Sequence, residues 1–218
     1  MKQVFSFESE KGRTIPVFGV PVDENAPYSL MIGTMHGDEP EGEYLINRFL
    51  KTEPKLRENW LFIPCFNPDG KALGTRENAN QVDLNRNYPT KNFKAVSYNP
   101  HSGQAKSGTP ASEKETQGMV KLFETFKISK VLTIHSDLAV VDFDGPAKEW
   151  AKEIADLTGY SLTENGIGYP TPGSFGNWAG VERNIPVVTL ETHKARTEEE
   201  LDALWHRFLP YFTSVSSR

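Results

Sequence analysis

Apolar residues follow two rhythms along this chain. Nearly continuous apolar runs occupy 14–20, 28–35, 60–66, 130–135 and 185–191, the pattern of strands buried on both faces of a sheet. Between them, apolar positions recur at helical spacing. Residues 40–52 group Tyr44, Leu45, Phe49 and Leu50 on one face, and 112–126 group Met119, Val120, Leu122, Phe123 and Phe126. The latter segment opens with Ser112-Glu113-Lys114-Glu115, which reads as a capping box. Residues 146–158 and 197–212 repeat the helical rhythm. Strands alternating with helices predict an α/β fold, a three-layer α/β/α sandwich around a mixed, mostly parallel sheet. No linker or low-complexity tract divides residues 1–218, so one domain is expected. In such sheets ligands bind beyond the carboxyl ends of the strands.

Two segments escape both rhythms. Residues 67–111 are rich in Asn, Pro, Gly and Arg with little periodicity, and 164–178 are rich in Gly and Pro. Long irregular loops inside a domain are usually functional.

Composition removes several function classes. A net charge of -5 gives no basic stripe for nucleic acid. There is no apolar run long enough to span a bilayer and no apolar leader in Met1–Glu10, so a cytoplasmic protein that does not engage membranes is expected. Cys65 is the only cysteine, which excludes an internal disulfide and a Cys-rich metal site. Its apolar neighbours predict a buried structural thiol.

The chemistry begins at His36-Gly37-Asp38-Glu39-Pro40, where a strand gives way to a helix. An imidazole and a carboxylate three residues apart can face one point, with Gly37 permitting a sharp turn and Pro40 suiting a first helical turn. Alone, such a pair is also what an ordinary surface turn contains. His135 changes the weighting, because it ends the apolar run Val131-Leu132-Thr133-Ile134 and is expected on the same rim. Two histidines and one carboxylate form a zinc set with a coordination position left for water. One zinc ion held by His36, Glu39 and His135 is therefore expected. Glu191 closes the last strand and is the candidate general base.

With these residues in view, the chain resembles the zinc carboxypeptidase family. The likeness rests on His36-x-x-Glu39, Asn67-Pro68-Asp69-Gly70, Arg76, Asp83-Leu84-Asn85-Arg86-Asn87, His135 and Glu191. Gly74-Thr75-Arg76-Glu77-Asn78-Ala79-Asn80 and Gly168-Tyr169-Pro170-Thr171-Pro172-Gly173-Ser174 narrow it to bacterial amidases that cut the γ-D-glutamyl-meso-diaminopimelate bond of murein peptides. The resemblance implies a cytoplasmic enzyme of cell-wall peptide recycling acting on a small peptide with a free carboxylate; a homodimer is compatible with it.

Beside that likeness, chemistry suggests roles. Arg76 is the candidate donor to the oxyanion that forms as water attacks the carbonyl. Asn85 and Arg86 pair an amide with a planar guanidinium, which suits recognition of a substrate carboxylate. Asp83 and Asn87 are read as residues that fix their own loop. Tyr169 matches the family's mobile tyrosine that closes over substrate, and Ser174 to Trp178 are expected to line the pocket for the departing residue. Asp137, Asp142 and Asn177 are available to meet its polar groups. His193 fits no family position and is read as a surface residue, and His101 and His206 as structural or exposed. Three alternatives stay open: a general metallocarboxypeptidase, a deacylase of the aspartoacylase or succinylglutamate desuccinylase type, and a non-catalytic module that kept the fold.

Overall fold

In a computed structural model, which describes residues 1–95, 106–163, 168, 170–194 and 197–213, the strands are β1 (Lys2–Glu8), β2 (Thr14–Val20), β3 (Tyr28–Ile32), β4 (Trp60–Ile63), β5 (Ile128–Ser136), β6 (Val140–Asp144), β7 (Ser161–Leu162) and β8 (Val187–Thr192). They form one sheet in the order β1-β2-β4-β3-β5-β8-β6-β7. The central strands β4, β3, β5 and β8 run parallel, while β1 against β2, β2 against β4 and β6 against β8 are antiparallel. This is the mixed sheet the sequence predicts.

The helices are α1 (Glu41–Thr52), α2 (Pro68–Leu73), α3 (Lys114–Thr125), α4 (Lys148–Thr158) and α5 (Glu198–Phe212). Alternation along the central strands supplies apolar groups to both faces. Leu132, Ile134, Val188 and Leu190 pack with α1, α4 and α5, while Val131 and Val187 join Met119 and Leu122 of α3 on the other side. On the first face Phe49 lies against Phe62, Trp205 and Phe212. Truncating so enclosed a ring typically costs about 3–5 kcal/mol.

Several details depart from the sequence reading. Strand β1 escapes it because most of its side chains are exposed, and β6 because Asp142 and Asp144 interrupt its apolar pattern. Strand β3 stops at Ile32, short of the expected 35. The long segment 67–111 contains α2, whose Asn67 cap accepts from the Gly70 N–H, and a 3-10 turn at Leu84–Arg86. The capping box does not form. Glu113 takes the N-cap position of α3, and the Ser112 hydroxyl donates instead to Glu113 Oε1 at 2.6 Å. Cys65 is only partly buried, and that burial pushes its thiol up to about 12. His206 is exposed.

Candidate active site

The rim of the sheet is shaped by the chain leaving β3. Thr34 adopts a positive φ of 48°, uncommon for a β-branched residue, with its carbonyl accepting from the Asn67 N–H at 2.9 Å. The role of Gly37 is steric and differs from the expected sharp turn. A Cβ there would lie 2.1 Å from the Gly70 carbonyl carbon, so only glycine lets this turn press against α2. The Gly37 N–H donates to the Arg76 carbonyl at 3.2 Å, which ties the His36 turn to the loop carrying Arg76.

His36, Glu39 and His135 converge as expected. Glu39 Oε1 lies 2.8 Å from His36 Nδ1, its Oε2 lies 2.8 Å from His135 Nδ1, and the two ring nitrogens face one another at 3.1 Å. All three residues are buried. These separations approach the roughly 3.4 Å between donor atoms around a tetrahedral zinc with bonds of about 2.0–2.1 Å. Three lone-pair donors aimed at one point, two of them nitrogens with no room for a proton each, fit a zinc ion.

The electrostatics agree. The pKa of His36 is raised to about 9: burial and Arg76 act to lower it, and Glu39 and Asp83 outweigh them. Glu39 is held far below the usual carboxylate range, because His36 and His135 overcome the burial that opposes its ionisation. Surroundings that favour a proton on His36 also favour a cation.

Asp83 reaches further than its own loop. Its Oδ1 accepts from the Asn85 N–H at 2.9 Å, the loop-fixing bond expected of it, and also lies 3.1 Å from His36 Nε2. A carboxylate on the distal nitrogen fixes the tautomer and the ring plane of a metal-binding histidine. Asp83 is fully buried and ionised well below the usual range, since His36 and Arg76 overcome its burial. Arg76 closes the group, with Nη1 donating to Glu39 Oε1 at 2.9 Å and Nε to Asp83 Oδ2 at 3.3 Å.

Glu191 stands directly beside His135 in the register of β5 and β8. It is nearly buried, and that burial, with the charge of Glu39, raises its pKa above the ordinary glutamate value against the pull of His135. A raised carboxylate at a metal rim can take and return a proton near neutral pH.

Asn85 and Arg86 follow Asp83 in the 3-10 turn Leu84–Arg86. Asn85 Oδ1 accepts from the Phe175 N–H at 2.9 Å, and buried Arg86 donates through Nη1 to the Asn85 carbonyl at 2.6 Å. Tyr169 and His101 lie outside the described residues. Of the segment expected to line the pocket, Phe175 and Trp178 are instead core residues, packed with Tyr88 and Phe123. Asn177 spends its amide on Thr171, Ser174 and Asn92. Asp137 is exposed in the turn after β5. His193 is partly exposed and sits 2.5 Å from the Tyr160 hydroxyl.

Residues 3–144 match the zinc carboxypeptidase family. The chain belongs to that family. It is 33% identical to murein peptide amidase A of Escherichia coli (strain K12) over 192 residues, covering 84% of this chain and 77% of that one. The Vibrio campbellii murein peptide amidase A is 33% identical over 193 residues, covering 84% and 76%. The crystal structure of murein-tripeptide amidase from Escherichia coli O157 superposes with a TM-score of 0.78 at 28% identity, over 96% of this chain and 92% of that chain.

As a zinc carboxypeptidase, the chain is a hydrolase, and the fold class expected from its sequence is the one it has. In the sequence Asp83 reads only as a loop residue; its contact with His36, 47 positions away, appears once the loop after α2 folds back over the rim. A local signal existed in Asp83-x-Asn85, but it spoke only of the loop.

Proposed function

We propose that this zinc carboxypeptidase hydrolyses the γ-D-glutamyl-meso-diaminopimelate amide bond of murein peptides, releasing the residue that carries the free carboxylate. The observation that carries the reading is the convergence of His36, Glu39 and His135 beside Glu191. The choice of substrate leans on the likeness to murein peptide amidases at 33% identity.

In this reading His36, Glu39 and His135 hold one zinc ion, with Asp83 orienting His36. When bound, zinc supplies Lewis-acid polarisation of the carbonyl and acidifies water at neutral pH. Glu191 accepts the proton of the attacking water and passes it to the leaving nitrogen, a transfer that its raised pKa favours. Arg76 donates to the carbonyl oxygen as negative charge develops there; removing such a donor typically costs about 3–4 kcal/mol of barrier. Asn85 and Arg86 bind the free carboxylate, and Tyr169 closes over the substrate. Residues 1–218 act as one catalytic domain, and cytoplasmic recycling of cell-wall peptides is the setting this reading implies. Among the described residues, no helix is long and apolar enough to cross a membrane.

The test is an assay of purified, zinc-loaded protein on L-Ala-γ-D-Glu-meso-diaminopimelate, N-acetylaspartate and ordinary C-terminal peptides. Release of diaminopimelate alone supports the reading. Preferred cleavage of N-acetylaspartate moves the chain to the deacylases, and of ordinary peptides to the general carboxypeptidases.

A further inference from the structure

Both oxygens of Glu39 face a histidine nitrogen at 2.8 Å, Oε1 towards His36 and Oε2 towards His135. Both also accept from the protein. Arg76 Nη1 donates to Oε1 at 2.9 Å, and the Ser136 N–H donates to Oε2 at 3.4 Å. A carboxylate turns freely about one bond, so a donor on each oxygen fixes its plane. Ser136, which ends β5, thus does for one oxygen what Arg76 does for the other.

Ser136 is itself held. Its hydroxyl donates to Glu41 Oε2 at 2.9 Å, across 95 positions of sequence. Glu41 opens α1, and two glycines bring that first turn onto the rim. A Cβ at Gly42 would lie 2.8 Å from Gly33 Cα and 3.0 Å from the Ile134 carbonyl oxygen, and one at Gly33 would lie 2.6 Å from the Gly42 carbonyl carbon. Glycine at both positions lets α1 start this close to the ends of β3 and β5. Glu41 is 3% exposed, whereas Glu43 of the same turn stays partly exposed and pairs with Lys71. The helix N-terminus favours an acid at either position, but an acid kept out of water also requires donors. The Ser136 hydroxyl is one.

We propose that Glu41 is a positioning residue for the metal site, holding through Ser136 the N–H that fixes Oε2 of Glu39. This rests on the zinc reading above and extends it to a residue that the zinc set does not include. The effect passes from α1 to the end of β5 and from there to Glu39, so it depends on the hydrogen bond to Ser136 and not on the charge of Glu41. The carboxylate plane of Glu39 is then set before an ion binds. Partners of this kind behind a ligand typically tune metal affinity by about tenfold or more.

The experiment measures zinc affinity by competition with a chelator for wild type, Ser136→Ala, Glu41→Ala, Glu41→Gln and the double variant Ser136→Ala with Glu41→Ala. The expected result is a loss of about tenfold in each alanine variant. The double variant should be no weaker than either single by more than about twofold, because one link is broken once. Glu41→Gln should stay within about twofold of wild type, since its amide keeps an oxygen for the Ser136 hydroxyl. Ser136→Ala removes a single oxygen from a partly exposed residue and decides the matter even where Glu41→Ala fails to fold. Wild-type zinc affinity in Ser136→Ala overturns the proposal and leaves the zinc reading standing. So do losses that add in the double variant, or a Glu41→Gln variant as weak as Glu41→Ala. A wild type that binds no zinc overturns the zinc reading itself, and the proposal with it.

Discussion

His135 and Glu191 are direct neighbours across β5 and β8, in a parallel pairing that runs without a register shift from Val131 and Val187 to Ser136 and Thr192. One residue is a candidate metal donor and the other the candidate base, so their separation is fixed by the backbone ladder. Shortening the base should then matter more than removing a flexible loop residue. Glu191→Asp is expected to keep zinc while lowering kcat about 100-fold, because the carboxylate retracts by one methylene from a fixed position. Zinc analysis and steady-state kinetics check it, and a kcat within a few-fold of wild type would show that another group moves the proton.

Asp83 should act on the metal through His36. Asp83→Asn is expected to weaken zinc binding about 10- to 100-fold, read by competition with a chelator. An unchanged zinc affinity would reduce the 3.1 Å contact with His36 Nε2 to loop architecture.

Removing the guanidinium at 86 should affect substrate selection. Arg86→Ala is expected to cost about 1.5–3 kcal/mol in kcat/KM, or roughly 10- to 150-fold, through KM on substrates with a free carboxylate. Substrates amidated at that carboxylate should be indifferent to the change. A fall in kcat alone, or an equal loss on the amidated substrate, would move Arg86 out of the clamp.

A second buried carboxylate group links stability to pH. Glu113 and Glu115 share Asn78 as a donor, and burial raises Glu115 from the usual value near 4.5 to about 7. A carboxyl whose folded pKa is raised stabilises the fold while protonated and loses that contribution as pH climbs from the unfolded to the folded value. Thermal unfolding at pH 4.5 and pH 8 should show a smaller drop with rising pH for Glu115→Gln than for wild type. Identical pH profiles would place the ionisation of Glu115 elsewhere.

The parts legible in the sequence were those with a strong local signal. Buried parallel strands announce themselves as apolar runs, so the positions of His135 and Glu191 at strand ends followed directly, and with them the rim. The solvent-facing edge strand β1 and the acid-bearing β6 lacked that signal. The sequence offers Asp142 for the leaving residue's polar groups, but its place opposite Thr189 comes only from the antiparallel pairing of β6 with β8. Asp83 was hidden for a different reason, its partner lying 47 residues away. The capping box failed because α3 begins one residue later than the motif requires, with Glu113 and not Ser112 at its N-cap.

The central claim, a zinc held by His36, Glu39 and His135 and served by Glu191, is tested most directly by measuring bound zinc and turnover on the same preparations of wild type and Glu191→Gln. One zinc per chain is expected in both, with a fall in kcat of about 100-fold or more in the variant. Absence of zinc from active wild-type enzyme, or a Glu191→Gln variant that turns over at the wild-type rate, would contradict it.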